Sequence, residues 1–156
     1  MNCRQSTRIV KIYTNQYGFD YCGIAKAQQL DDDARRLEAW LKQGMHGGMQ
    51  YMENYFDLRV DPTKLVPGAK TVITLLKNYY PEQTHSANQK ISKYAYGNDY
   101  HYVIKSKLKA MIAELQEKLG EFNGRGFVDS APMLERSWAQ RSGLGWIGKN
   151  GNLITK

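Results

Sequence analysis

The stretch from Phe127 to Asn150, FVDSAPMLERSWAQRSGLGWIGKN, constrains the fold of this chain more than any other. Apolar Phe127-Val128 reads as the end of a short buried strand, with Asp129 and Ser130 at its tip. Pro132 suits the first turn of a helix, where its missing N–H costs nothing, and Ser130 is a natural N-cap for it. Gly143, Gly145 and Gly148 then end that helix and let backbone approach a neighbour closely. Lys149 and Asn150 stand beside them as polar donors. A carboxylate at a strand end facing a glycine-rich loop is a common way for α/β proteins to build a site. The plainer reading is that Asp129 and Ser130 cap the next helix and the glycines turn the chain; the local pattern leaves both open.

Upstream, the pattern alternates helix and strand. Thr7 to Gln16 reads as a first helix ended by Gly18, and Phe19 to Ala25 as a strand. The Asp31-Asp32-Asp33 run opens a helix to about Gln43, with Leu37, Trp40 and Leu41 on one face and Gly44 at its end. Three acids at a helix start complement the dipole there, so the run is read as a helix N-terminus, and no metal site is assigned. Gly47 to Phe56 reads as another helix with Met49, Met52 and Phe56 as its apolar stripe. Pro62 to Ala69 reads as a loop.

Lys70 to Tyr80 is the strongest strand, its VITLL centre apolar on both faces as expected of a buried sheet member. Glu82 to Gln89 reads as an exposed loop. Asp99 to Leu119 is the longest helix, with Val103, Leu108, Met111, Ile112, Leu115 and Leu119 near helical spacing and Gly120 as its stop. Its Lys105, Lys107 and Lys109 read as a solvated face, an RNA footprint being the alternative. No internal repeat or linker is evident. The expectation is one α/β (α+β) domain over residues 1–156, a mixed sheet with flanking helices.

Charge and cysteines bound the partners. With 22 basic and 15 acidic residues the chain carries +7, a balance that attracts polyanions such as RNA. No apolar run approaches the roughly 18 residues of a membrane span, and no charged-then-apolar leader is seen, so a cytoplasmic protein without a membrane partner is expected. The only cysteines are Cys3 and Cys22, with no C-x-x-C spacing. Cys22 lies in an apolar strand and reads as a core thiol, Cys3 in a frayed terminus.

Several motifs follow one another at compatible spacing. They are GFDYCGIA (Gly18 to Ala25), LKQGMHGGMQYM (Leu41 to Met52), LRVDP (Leu58 to Pro62) and LVPGAKTV (Leu65 to Val72). NYYP (Asn78 to Pro81), ISKYAYGNDYH (Ile91 to His101) and the V-D-S-A-P, L-E-R and G-L-G-W-I-G-K-N elements complete the series. Together they resemble the epoxyqueuosine reductase family, cobalamin-dependent iron-sulfur enzymes that finish the queuosine base in transfer RNA. The resemblance runs from about residue 17 to the end. It implies a nitroreductase-like cobalamin-binding core, with 4Fe-4S clusters in a following ferredoxin-like domain. A cluster needs about four thiolates, so the expectation is an N-terminal cobalamin-binding part of such an enzyme, inactive without its cluster domain.

Reducing an epoxide to an alkene removes oxygen as water and needs two electrons with protons, which a redox cofactor must supply. The resemblance implies that reduced cobalamin attacks the substrate and that Asp129 protonates the opening oxygen. That task asks for a carboxyl still protonated near neutral pH, which desolvation favours. The family's cofactor contacts map onto Arg59, Tyr94, Tyr96, His101, Asp129, Ser130, Arg136, Gly145, Trp146, Gly148, Lys149 and Asn150. Gly145 to Gly148 would offer backbone to the corrin amides, and Arg59, Arg136 and Lys149 would meet amide oxygens or phosphate. His101 as a cobalt ligand is disfavoured, because the family resembles base-off cobalamin enzymes; a hydrogen-bonded helix-start role is the alternative. The implied partners are a tRNA carrying epoxyqueuosine and an external electron donor. Two further readings are a flavin-dependent, nitroreductase-like oxidoreductase and a non-catalytic RNA-binding module. The V-D-S-A-P and G-W-I-G-K-N motifs oppose the first, and no RNA-binding fingerprint supports the second.

Overall fold

A computed structural model describes residues 2–80 and 91–155. The chain divides into two compact units, one of Met1–Cys22, Leu75–Phe122 and Gly126–Asp129, the other of Gly23–Thr74, Asn123–Arg125 and Ser130–Lys156. Where one mixed sheet was expected, the described residues form two sheets of two strands each. One pairs β1 (Tyr21–Lys26) with β2 (Thr71–Leu76). The other pairs β3 (Gly145–Ile147) with β4 (Leu153–Thr155). The architecture is therefore mixed, helices with small sheets.

In the first unit, α1 (Cys3–Gln16) packs against α5 (Tyr100–Leu119). α1 starts four residues earlier than the spacing predicts, because Asn2 and Gln5 form a reciprocal capping box, each side chain bonding the other's backbone N–H at 2.9–3.0 Å. Val10, Phe19, Met111, Leu115 and Val128 are the buried apolar side chains here. Burying each contributes roughly 1.5–3 kcal/mol over leaving it in water. Thr14, also buried, sends its hydroxyl to the Val10 carbonyl at 2.9 Å, so that hydroxyl is not stranded. Across the pair, Lys107 Nζ donates to the Tyr17 carbonyl at 3.1 Å and the Tyr17 hydroxyl to Glu114 at 2.6 Å. Lys107 thus leaves the solvated face assigned to it. α5 follows its expected span, ending at Gly120 with φ 87°. Its Val103 is 40% exposed, however, and lies off the buried stripe.

In the second unit, α2 (Asp31–Lys42) carries its three acids in the first turn, as the dipole favours, and follows Leu30, which is 2% exposed. The helix expected over Gly47 to Phe56 does not form. Gly44 and Gly47 take φ of 66° and 54°, and the segment becomes turns with one 3-10 turn at Gln50–Met52. Met49 is accordingly 41% exposed rather than core. Tyr55, at φ 58°, leads into α3 (Phe56–Val60). The expected loop from Pro62 holds a short helix, α4 (Pro62–Leu65), because buried Asp61 accepts from the Thr63 amide (2.9 Å) and hydroxyl (2.7 Å) while Pro62 occupies the first turn.

β2 is shorter than the strand expected over Lys70 to Tyr80, and none of its residues is fully buried; Ile73 is 39% exposed. A two-stranded sheet has no neighbour to enclose both faces of such a run. The loop expected over Glu82 to Gln89 lies outside the described residues.

Two local expectations around Asp129 fail. Phe127-Val128 is not in a strand, although Val128 is buried. Ser130 and Pro132 do not open a helix; α6 (Glu135–Arg141) begins three residues after Pro132 with Leu134 in the capping position. The Met133 amide bonds the Ala131 carbonyl instead (2.8 Å), which closes a tight turn around Pro132 and delays the helix. Trp138 and Ala139 on α6 are buried, and α6 packs on β3 and β4.

Candidate functional site

In the first unit, the start of α5 and the loop at Asp129 build one cluster. Asp99 caps α5, its Oδ1 accepting from the His101 amide at 2.9 Å and meeting His101 Nδ1 at 2.8 Å. The backbone bond first, and the imidazole second, hold the Asp99 carboxyl below the usual carboxylate range. This fork fixes the ring of His101 and turns Nε2 toward Asp129 Oδ2, 3.8 Å away. Tyr100 stacks on His101 with ring centroids 4.1 Å apart, and its hydroxyl donates to the same Asp129 oxygen at 2.6 Å. That hydrogen bond, with some burial and the Asp129 charge, pushes the Tyr100 phenol up to about 12.

Asp129 sits at φ 49°, a left-handed conformation that aspartate tolerates better than most residues but that still costs roughly 1 kcal/mol. Buried Val128 anchors one side of it. The Asp129 side chain is 53% exposed, so the described residues leave it on an open face rather than in an enclosed pocket. Exposed tyrosines flank the cluster in the same unit. Tyr94 meets Tyr79 edge-to-face at 6.5 Å and lies near enough to Tyr100 to act on its ionisation. Lys93 Nζ stands 3.7 Å from the centre of the Tyr80 ring and lowers that phenol. Tyr96 is half-buried beside them in sequence.

The remaining sequence-predicted residues belong to the second unit, where many serve the local backbone. Arg59 spends its guanidinium on the carbonyls of Asn54 (3.2 Å) and Tyr51 (2.8 Å). Arg136 bonds the Gly151 carbonyl, tying α6 to the hairpin turn. β3 and β4 are antiparallel, with Gly145 opposite Thr155, Trp146 opposite Ile154 and Ile147 opposite Leu153. A Cβ on Gly145 would stand 2.1 Å from the Ile154 carbonyl oxygen, and one on Gly148 would stand 2.8 Å from the Ile154 side chain. Both glycines therefore answer a need of the hairpin itself. Asn150 closes its turn by accepting from the Asn152 amide at 3.1 Å. Trp146 is 52% exposed, and Ser130 and Lys149 are exposed.

Sequence reasoning named Asp129 and His101 but missed Tyr100 and Asp99, which join them. An Asp-x-His at a helix start was a usable signal, since the Asp caps the helix and reaches the His two residues on. Tyr100 carried no local signal, because its partner is far away in sequence. Among the described residues, no group of three or more His, Cys, Asp or Glu is placed to hold a metal, and no helix is long and apolar enough to cross a membrane.

By fold, the chain is of the class seen in solved epoxyqueuosine reductases. One, crystallised with an epoxyqueuosine-modified tRNA-Tyr stem loop, matches at a TM-score of 0.85 and 26% identity over 99% of this chain and 42% of its own. Another, from Bacillus subtilis and described with its catalytic aspartate loop swung out of the active site, matches at 0.83 and 25% identity over the same shares. The family profile described as "Epoxyqueuosine reductase QueG, DUF1730" matches residues 59–130. Epoxyqueuosine reductase from Leadbetterella byssophila is 54% identical over 98% of this chain and 51% of its own length. That from Synechocystis is 41% identical over 86% and 47%. The chain belongs to the epoxyqueuosine reductase family, and spans about half the length of the curated relatives it matches.

Proposed function

We propose that this chain is the cobalamin-binding, acid-bearing part of an epoxyqueuosine reductase, acting on epoxyqueuosine in tRNA with Asp129 as proton donor. The observation that carries the reading is the Asp129 carboxyl on an open face, held by the Tyr100 hydroxyl at 2.6 Å and faced by His101. A solved relative described with a catalytic aspartate loop supports it, as does the tRNA stem loop bound to another. A tRNA substrate and an external electron donor would suit a cytoplasmic enzyme.

The donor set fits a corrin. Exposed tyrosines offer flat apolar faces with hydroxyl tips, suited to a broad ring fringed with amides. Tyr94, Tyr96, His101 and Asp129 would hold it; Ser130, Trp146, Lys149 and Asn150 are the further cofactor contacts that the family resemblance implies. Arg136, Gly145 and Gly148 would act by fixing the hairpin backbone on which Trp146, Lys149 and Asn150 stand, and Arg59 by fixing the turn from Tyr51 to Asn54. Bound there, the cofactor would supply the two electrons of the reduction. The clusters find no complete thiolate set in the chain, whose only cysteines are Cys3 and Cys22.

The chain's own part is proton handling. Asp129 gives its proton to the oxygen leaving carbon. The Tyr100 hydroxyl then stabilises the carboxylate that remains, a charge-assisted bond about twice as strong as a neutral one. His101, oriented by Asp99, is placed to return a proton to the same oxygen.

Two measurements test the reading. Titration with cobalamin, followed by visible absorption, should show saturable binding with a base-off spectrum; binding of flavin mononucleotide instead would replace the cofactor. In the protein carrying this chain, Asp129→Asn should lower epoxyqueuosine reduction by about 100-fold or more at saturating cobalamin, far beyond any change in cobalamin affinity. Wild-type turnover in that variant would end the proton-donor role.

A further inference from the structure

One face of α1 has no part in this chemistry. The helix is fixed in rotation, because Val10 and Thr14 are buried and the helix packs on α5. Arg4, Arg8 and Lys11 therefore stand exposed in one row at helical spacing, spanning about 10 Å of helix. α1 contains no acid. Among the described residues the ion pairs engage other cations, and none engages Arg4, Arg8 or Lys11.

The contrast with α2 is direct: there Arg35, Arg36 and Lys42 are each neutralised within their own helix. Thr7, Asn15 and Gln16 add neutral donors along the same row, which borders a shallow trough of about 640 Å³. An open row of cations outside any ion pair among the described residues, with a hydroxyl between them and amide donors at its end, matches a string of phosphates better than one small anion.

We propose that this face of α1 docks the phosphate backbone of RNA, holding the substrate tRNA away from the reacting base. The proposal rests on the reading of the chain as part of a tRNA-modifying reductase, and adds a binding surface to it. A membrane surface fits less well. An interfacial helix inserts an apolar face into lipid, whereas the apolar face of α1 is occupied by α5, and Ile12 is the one large apolar side chain lining the trough.

The test is Arg4→Gln/Arg8→Gln/Lys11→Gln in this chain, binding an unmodified tRNA-Tyr transcript across a potassium chloride series. Loss of three phosphate contacts should flatten the slope of log affinity against log salt by about 2–3 and raise Kd about ten- to hundredfold near 0.1 M salt. Circular dichroism checks that α1 survives; if it does not, Arg8→Gln alone should flatten the slope by about 1. Unchanged slope and affinity in a folded variant would overturn the proposal, as would a wild-type chain with no tRNA affinity. Loss of binding to phosphatidylserine vesicles with tRNA binding intact would replace it with a lipid surface. Cobalamin titration of the triple variant keeps the two readings apart: tRNA binding that needs the row, in a chain that never binds cobalamin, leaves the RNA face standing and removes the cofactor.

Discussion

At Tyr100 and Asp129 the structure joins residues that lie far apart in sequence and shifts the chemistry of one of them. The Tyr100 phenol, ordinarily near 10, is pushed up to about 12 by its bond to the Asp129 carboxyl. Its folded value lies above its unfolded one, so the stabilisation is fully present below about pH 10 and is lost as pH rises through about 12. Selective carbon labelling of tyrosine rings should show Tyr100 titrating well above the ordinary phenol range, and Asp129→Asn should return it toward 10. A Tyr100 that titrates near 10 in wild type would mean the bond is not formed in solution. Asp129 was legible because V-D-S-A-P drew attention to it. Tyr100 was not, since a hydroxyl's partner across the fold leaves no trace in local spacing. The positive φ of Asp129 was equally hidden: aspartate there looks in sequence like any cap or turn residue.

Among elements, length of periodic pattern decided what could be read. α5 shows its apolar stripe over five turns and ends at glycine, so its span was predictable. The Met-rich stretch before α3 shows the same spacing, but its glycines offer left-handed turns and win over a weak stripe. β3 and β4 have only three residues each, too short for any alternation to register. Their hairpin is nonetheless strict at Gly145. Gly145→Ala places a methyl 2.1 Å from the Ile154 carbonyl oxygen, and should destabilise the chain by about 3 kcal/mol, read by urea unfolding. Near-wild-type stability would show that the strands separate at little cost. The start of α5 makes a pH prediction of opposite sign to that of Tyr100. The Asp99 carboxyl titrates below its usual value, so the cap is intact above about pH 4 and is lost as pH falls through the folded value. Proton exchange at the His101 amide should accelerate relative to its neighbours over that acid range, and Asp99→Asn should abolish the acceleration.

For the whole molecule, ordered motifs carried the family where composition could not. A net charge of +7 admits many partners, and two cysteines admit no cluster, but nine motifs in sequence fit one family. What motif order does not convey is how the chain partitions. The expectation of one domain came from the lack of a linker; the two compact units are assembled from interleaved segments, and two of the crossings, at Cys22–Gly23 and Thr74–Leu75, fall inside continuous strands. Each unit has its own buried centre, Leu115 in one and Trp138 in the other. Amide exchange should accordingly be slowest around two separate foci, α5 near Leu115 and α6 near Trp138, with the Met45 to Tyr55 turns exchanging fastest. A single focus confined to α5 would mean that the α6 region opens without global unfolding. Leu115→Ala should cost about 2–5 kcal/mol by the same unfolding assay.

The three tryptophans of this chain differ sharply in their access to water. Trp138 is 1% exposed on α6, Trp40 is half-buried on α2, and Trp146 is 52% exposed on β3. Their emission should separate accordingly, Trp138 blue-shifted and untouched by iodide, Trp146 red-shifted and readily quenched. The hairpin thus carries its own lamp. Anything that settles over β3, whether a corrin ring or another chain, should dim or shield Trp146 while leaving the Trp138 signal as an internal standard, and Trp146→Phe should remove the response without any dye or tag.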